Sequence, residues 1–264
     1  MDERDEDVLI TEQRGHVRYL TLNRPDVLNA LNARVFASLR TELASVASDP
    51  GTRVVVITGA GDRAFSSGAD LDELMGLDPV DTRALLEQGQ RVLRDLETLG
   101  TPVIAAVNGY ALGGGFELAL ACPLVVAAER AQFGLPEVGL GLMPGYGGTQ
   151  RLPRVVGPQV ALRMMLTGQR VDAASAHELG ILSQPPVEDG QLLEVVGDLA
   201  KEIATRSPRA ASLILQSVGA SSGLDAGLAH ETTLAALAAA SGDAAEGVAA
   251  FREKRTPNFE DAAQ

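Results

Sequence analysis

Three short runs in this chain are apolar but for one closing threonine: VVVIT (54–58), VIAAV (103–107) and LVVAA (124–128). A strand with one wet face alternates apolar and polar residues, so a run without that alternation must be covered on both faces. The intervening segments supply the cover. Leu31, Val35, Leu39, Leu43 and Val46 recur at near-fourfold spacing before the first run. Leu85, Leu86, Gly89, Val92, Leu93 and Leu96 form a 3.6-residue stripe before the second. VLITEQR and HVRYLTLN read as two more strands around Gly15. This alternation predicts an α/β domain rather than separate sheets and bundles. From about residue 158 strand signals almost vanish, and helical stripes take over: Ala210, Leu213, Ile214 and Val218, then Ala244, Val248 and Phe251. Such a tail cannot bury its faces alone and must pack on the first part or on another subunit. The expected division is an α/β core at 1–195 and a helical region at 196–264, with no internal repeat.

Composition narrows the chemistry. With 22 Lys+Arg against 35 Asp+Glu the net charge is −13, which offers no basic footprint for nucleic acid. The single cysteine, Cys122, excludes an intramolecular disulfide and a cysteine-rich metal cage, and His16, His177 and His230 show no ligand spacing. No metal site is expected. The acidic start MDERDED opposes both a secretory signal and an arginine-rich transit peptide. No run of eighteen apolar residues suggests a membrane span, and the expectation is a soluble cytoplasmic protein with frayed ends at 1–7 and after Pro257.

Three glycine-rich stretches stand out: AFSSGAD (64–70), NGYALGGGFELA (108–119) and PEVGLGLMPGYGGTQRL (136–152). None is a dinucleotide fingerprint, because Pro144 stands where the third glycine belongs, and none is a P-loop, because the only lysines are Lys201 and Lys254. A GxSxG nucleophile elbow is absent too. Gly114 instead lies where a loop enters a helix, a place where amides point outward unpaired and the helix dipole favours negative charge. A second such junction follows Ser67-Gly68-Ala69, with Asp70 and Glu73 at capping-box spacing. The amides of Ala69 and Gly114 would make an oxyanion hole if the fold brought them together; turn-making is the plainer reading of each glycine cluster alone. Glu117 sits in an otherwise apolar helix, where a charge is costly without a partner or a task, unless it lies on the helix surface. Glu137 lies in the apolar loop QFGLPEVGLG. Two carboxyl groups in one apolar pocket would separate into an acid and a base, suited to adding or removing water beside a carbonyl.

Together NRPDVLNAL (23–31), AFSSGADL (64–71), AAVNGYALGGGFELALAC (105–122), AQFGLPEVGLGLMPGYGGTQRLPRVVG (131–157) and FREKRTPNF (251–259) resemble the crotonase, or enoyl-CoA hydratase/isomerase, superfamily. The resemblance runs in family order from about residue 8 to 260. It implies a crotonase-like spiral of ββα turns followed by helices that build a homotrimer, commonly paired into a hexamer. It implies an acyl-CoA thioester substrate, hydrated from trans-2-enoyl-CoA to 3-hydroxyacyl-CoA with no cofactor, coenzyme A being part of the substrate. Carried over by residue, the oxyanion hole falls on Ala69 and Gly114, Glu117 activates water and Glu137 exchanges the α-carbon proton. Val27, Leu28, Ser67, Asp70, Leu71 and Asp72 match stretches lining coenzyme A, and Phe251 and Lys254 match a pair reaching it from a neighbouring subunit. The plainer reading of Lys254 is an exposed lysine on an amphipathic helix. Pro123 and Phe116 depart from the usual pattern, and Phe116 is expected to reshape the acyl pocket. Residues 72–84, the expected cover of the acyl chain, follow no readable pattern. An enoyl-CoA isomerase and a non-catalytic acyl-CoA-binding protein are the competing readings.

Overall fold

The computed structural model describes residues 7–219 and 223–259. Strands β1 (Leu9–Arg14) and β2 (Val17–Leu22) form a hairpin, followed by helix α1 (Ala33–Ser48). Next come β3 (Val54–Gly59), β4 (Ala64–Ser66), α2 (Leu71–Leu74) and α3 (Pro79–Thr98). Then β5 (Val103–Val107), β6 (Tyr110–Leu112) and α4 (Gly114–Ala121) repeat the theme. So do β7 (Leu124–Ala127) and β8 (Gln132–Gly134), leading into α5 (Gly148–Val156) and α6 (Pro158–Thr167). A short β9 (Val171–Asp172) and α7 (Ala173–Glu178) precede α8 (Leu192–Ala204), α9 (Pro208–Gly219), α10 (Leu224–Ala239) and α11 (Gly242–Glu253).

From β3 to β8 successive strands alternate between two sheets. One sheet orders β1-β2-β3-β5-β7 and the other β4-β6-β8-β9, so each ββα turn adds one parallel strand to both, and the chain advances as a spiral. The three apolar runs are the β3, β5 and β7 ladder, and they are apolar because both faces are covered. Val55, Ile57, Val103 and Ala105 face one core cluster with Phe36 and Leu39 of α1 and Leu93 and Leu96 of α3. Val54, Val56, Ile104 and Val126 face a second cluster, closed by Val196, Ala200 and Ala204 of α8. The division expected at residue 195 therefore falls inside α8, a helix that packs on the sheet.

Local contacts fix these elements. Asn32 caps α1 by accepting the Val35 amide at 2.9 Å. Asp70 caps α2 through the Asp72 amide, but Glu73 does not close the expected capping box. It reaches across to α1 and accepts the Ala33 amide at 2.7 Å, which pins α2 to the start of α1. Of the tail stripes, Leu213 is buried, while Ile214, Val218, Val248 and Phe251 are exposed on this chain. The fraying expected at the ends falls largely outside the described residues. Within them, the Asn258 amide donates to Glu246 at 2.7 Å.

Candidate active site

The site begins where α4 meets β4. A Cβ on Gly115 would come within 2.3 Å of the Ser66 carbonyl oxygen, so only glycine lets the first turn of the helix press against the strand. Gly113 precedes the helix at φ 49°, ψ −127°, a backbone conformation that L side chains rarely adopt. The Gly114 amide therefore emerges from the helix start with no intrahelical acceptor. Opposite it, Leu31 makes a parallel bridge with the chain at Ala69: the Leu31 amide donates to the Gly68 carbonyl at 2.7 Å, and the Asp70 amide donates to the Leu31 carbonyl at 2.9 Å. Those bonds take the groups flanking Ala69, and its own amide faces the other way. A Cβ on Gly114 would lie 3.2 Å from Ala69 N. The two amides expected to form an oxyanion hole are neighbours.

Both line a cavity of about 400 Å³, and so do Glu117 and Glu137. Glu117 is 1% exposed. Its Oε1 accepts the Tyr146 amide at 2.8 Å and the Gly148 amide at 2.6 Å. Burial pushes this carboxyl above its ordinary pKa, opposed by those amides and by the Arg151 charge. The glycine-rich turn after Pro144 thus holds the carboxylate rather than a phosphate. Arg151 holds that turn in its place. Its guanidinium donates to the Tyr146 carbonyl at 2.6 Å and to Glu97 Oε1 at 2.6 Å. Sequence reasoning missed Arg151 and Glu97; the one available signal was an arginine three residues beyond the Gly147-Gly148 pair.

Glu137 opens a 3₁₀ turn (Glu137–Leu140). Its Oε2 is buried with no hydrogen-bond partner, and burial, helped by the charge of Glu117, pushes the carboxyl up to about 7. An orphaned carboxyl oxygen whose proton is shared evenly near neutrality is equipped to give and take a proton. Glu117 is held by two amides of a distant turn, whereas Glu137 has only the backbone amide of its own residue.

Elsewhere the sequence expectations divide. Ser67 and Leu71 line the cavity. Val27 and Leu28 lie beside Ser67, whose amide donates to the Leu28 carbonyl at 2.9 Å and whose hydroxyl donates to the Val27 carbonyl at 3.3 Å. Asp70 is engaged by Arg24 at 2.7 Å, Asp72 is exposed on α2, and Phe251 and Lys254 are exposed at the end of α11; none of these four lines the cavity. Phe116 does not reshape the acyl pocket. It is fully buried and packs on Phe133 at 5.4 Å between ring centroids, because the helix turns it away from Glu117's side. Pro123 is exposed after the end of α4, also away from the cavity. Among the described residues no group of three or more His, Cys, Asp or Glu is placed to hold a metal, and no single helix is long and apolar enough to cross a membrane.

The family model for enoyl-CoA hydratase/isomerase matches residues 12–262. The chain belongs to that family. Within the enoyl-CoA hydratase/isomerase family, it is 45% identical over 253 residues to the 2,3-dehydroadipyl-CoA hydratase of Escherichia coli K12, covering 95% of this chain and 98% of that one. It is 39% identical to the crotonyl-CoA hydratase of Syntrophomonas wolfei, covering 95% and 97%. The crystal structure of an enoyl-CoA hydratase from Bacillus anthracis superposes with a TM-score of 0.92 at 37% identity, covering 96% of this chain and 99% of the other. The spiral with its C-terminal helices is thus the crotonase fold.

Proposed function

We propose that this chain hydrates trans-2-enoyl-CoA thioesters to 3-hydroxyacyl-CoA. The observation that carries the reading is the meeting of two inward amides and two chemically unlike carboxyl groups at one cavity. The thioester oxygen accepts from the Ala69 and Gly114 amides, which stabilise the negative charge that grows there as the double bond is attacked. Glu117, oriented through Oε1, takes a proton from water as the water oxygen bonds to C3. Glu137, protonated, delivers its proton to C2, and the two carboxyl groups end the step with protonation states exchanged. Proton exchange with solvent restores them. Every atom of the water ends in product or on a carboxylate, and the step needs no metal or redox cofactor.

Val27, Leu28, Ser67 and Leu71 stand at the mouth, where the pantetheine arm enters. Asp70 contributes by holding Arg24 and α2. Phe251 and Lys254, exposed and remote from their own cavity, act from a neighbouring copy in a homotrimer or a dimer of trimers, with Asp72 on the rim that receives them. The setting is the bacterial cytoplasm, as for soluble metabolic enzymes of this kind. Hydratase-named relatives at 39% and 45% identity support the reaction. The test is loss of the conjugated enoyl absorbance when purified protein meets crotonyl-CoA and longer enoyl-CoAs. No hydration at any chain length overturns the proposal.

A further inference from the structure

We propose that Glu97 is a positioning residue for the reaction. From behind the turn that seats Glu117, it fixes Arg151 and offsets the charge that Arg151 presents to that glutamate. This rests on the reading of Glu117 as the group that takes a proton from water, and deepens it. Glu97 lines no part of the cavity that holds the two glutamates. It stands near the end of α3 and lines a second cleft of about 650 Å³, which shares Tyr146 with the first. Its influence runs through three contacts. Glu97 Oε1 accepts from Arg151 Nε at 2.6 Å, and Arg151 donates to the Tyr146 carbonyl at 2.6 Å. The Tyr146 amide then donates to Glu117 Oε1 at 2.8 Å. A single residue of backbone separates the guanidinium from the carboxyl group it supports.

The pair is placed so that both charges persist. The Arg151 and Glu97 side chains are 15% and 26% exposed. Burial pushes the Glu97 carboxyl up, but the Arg151 guanidinium, with Arg94 at 3.1 Å on Oε2, holds it below its ordinary value, so it is ionised near neutrality. Arg151 favours the charged form of Glu117, and the negative charge of Glu97 opposes that. Cys122 of α4 also faces the pair; burial pushes its thiol up to about 12, and it carries no charge in the working range. Glu87 and Arg91 of α3, Arg154 of α5 and His230 of α10 line the outer side, while Glu137 and Tyr146 face Glu117 from the cavity. All of these are common to every variant below. A plain tether between α3 and α5 would work as well without a charge on Glu97, and that is the distinction to test.

Two readouts serve: the acid limb of the kcat profile with crotonyl-CoA, and the 13C titration of the Glu117 carboxyl in protein carrying labelled glutamate. Loss of one resonance in Glu117→Gln assigns it. Glu97→Gln keeps an acceptor for Arg151 and removes the charge. Limb and titration are expected to fall by about 0.5–1 pH unit, opposite to the rise in Arg151→Gln, with KM little changed. Glu97→Asp keeps the charge and is expected within about 0.3 unit of the native value. The double variant Glu97→Gln, Arg151→Gln is expected below Arg151→Gln by a similar amount, and reads the same contribution should the single Glu97→Gln not fold. An unmoved or rising Glu117 titration on loss of the Glu97 charge, or equal falls in the Gln and Asp variants, overturns the proposal. Absence of turnover in the native protein sinks hydration alone, because the carboxyl titration still judges Glu97.

Discussion

Glu137 and Glu117 are the same residue type about one cavity apart, and their surroundings make them different reagents. Glu137→Gln keeps the shape and removes the exchangeable proton, so turnover should drop by about 10²–10⁴-fold while acyl-CoA binding persists, as read by steady-state rates beside calorimetry. The same substitution has a signature in stability. The folded carboxyl keeps its proton up to about 7, whereas its ordinary value is 4.5. The native state therefore binds more protons than the unfolded chain between those values, and Glu137 costs stability as pH rises through that window. Glu137→Gln should raise Tm by roughly 2–6 °C at pH 8 and have no such effect near pH 4, as followed by thermal melts at both. Arg151→Gln removes the charge behind Glu117 and the tether of its turn. Its expected cost is ~2–3 kcal/mol, with the acid limb of the kcat profile moving to higher pH as Glu117 loses its cation. An unmoved limb would reduce Arg151 to packing. Glu117 was legible in sequence because a charge in FELALAC has few excuses. Arg151 was not, because its partner Glu97 is 54 residues away and the carbonyl it holds belongs to a turn whose shape no pattern announces.

At the scale of elements, one central contact is backbone against backbone and the other backbone against an aromatic ring. The α4 start presses on β4 at Gly115, and Gly114 lies against the ring of Tyr146, 2.8 Å from where a Cβ would stand. Gly115→Val should lose several kcal/mol, by denaturant melts, because the clashing atom is the main-chain oxygen of Ser66 and cannot swing aside. A variant that folded normally and turned over normally would show that α4 is not seated as described. The runs 54–58, 103–107 and 124–128 announced their strands because burial on both faces leaves a plain mark in composition. The strands β4, β6 and β8 left almost none: each is three residues long, too short for a period of two to show. The segment 72–84 had no readable pattern for a physical reason. Its apolar residues face an open cavity, so no packed partner imposes a spacing on them.

For the whole molecule, the net charge of −13 opposes an anionic thioester at long range. Lowering ionic strength from 0.15 to 0.01 M lengthens the screening distance from about 8 to about 30 Å, and KM for an acyl-CoA should rise several-fold with kcat little changed. A KM that falls instead would mean that local cations, Lys254 first among them, dominate the approach. The spiral itself was legible only through resemblance. Strand and helix order is a local property, while the alternation of strands between two sheets is set by which loops turn which way. One consequence follows from the way α4 is seated on β4. The two inward amides are located by hard contact between two stretches of main chain, whereas the apolar wall of the cavity is built from side chains on α2, the turn after it, α3 and the loop beyond Glu137. Mutation can rewrite that wall freely without disturbing the amides, so a lineage built on this scaffold can change its diet by drift and keep its reaction.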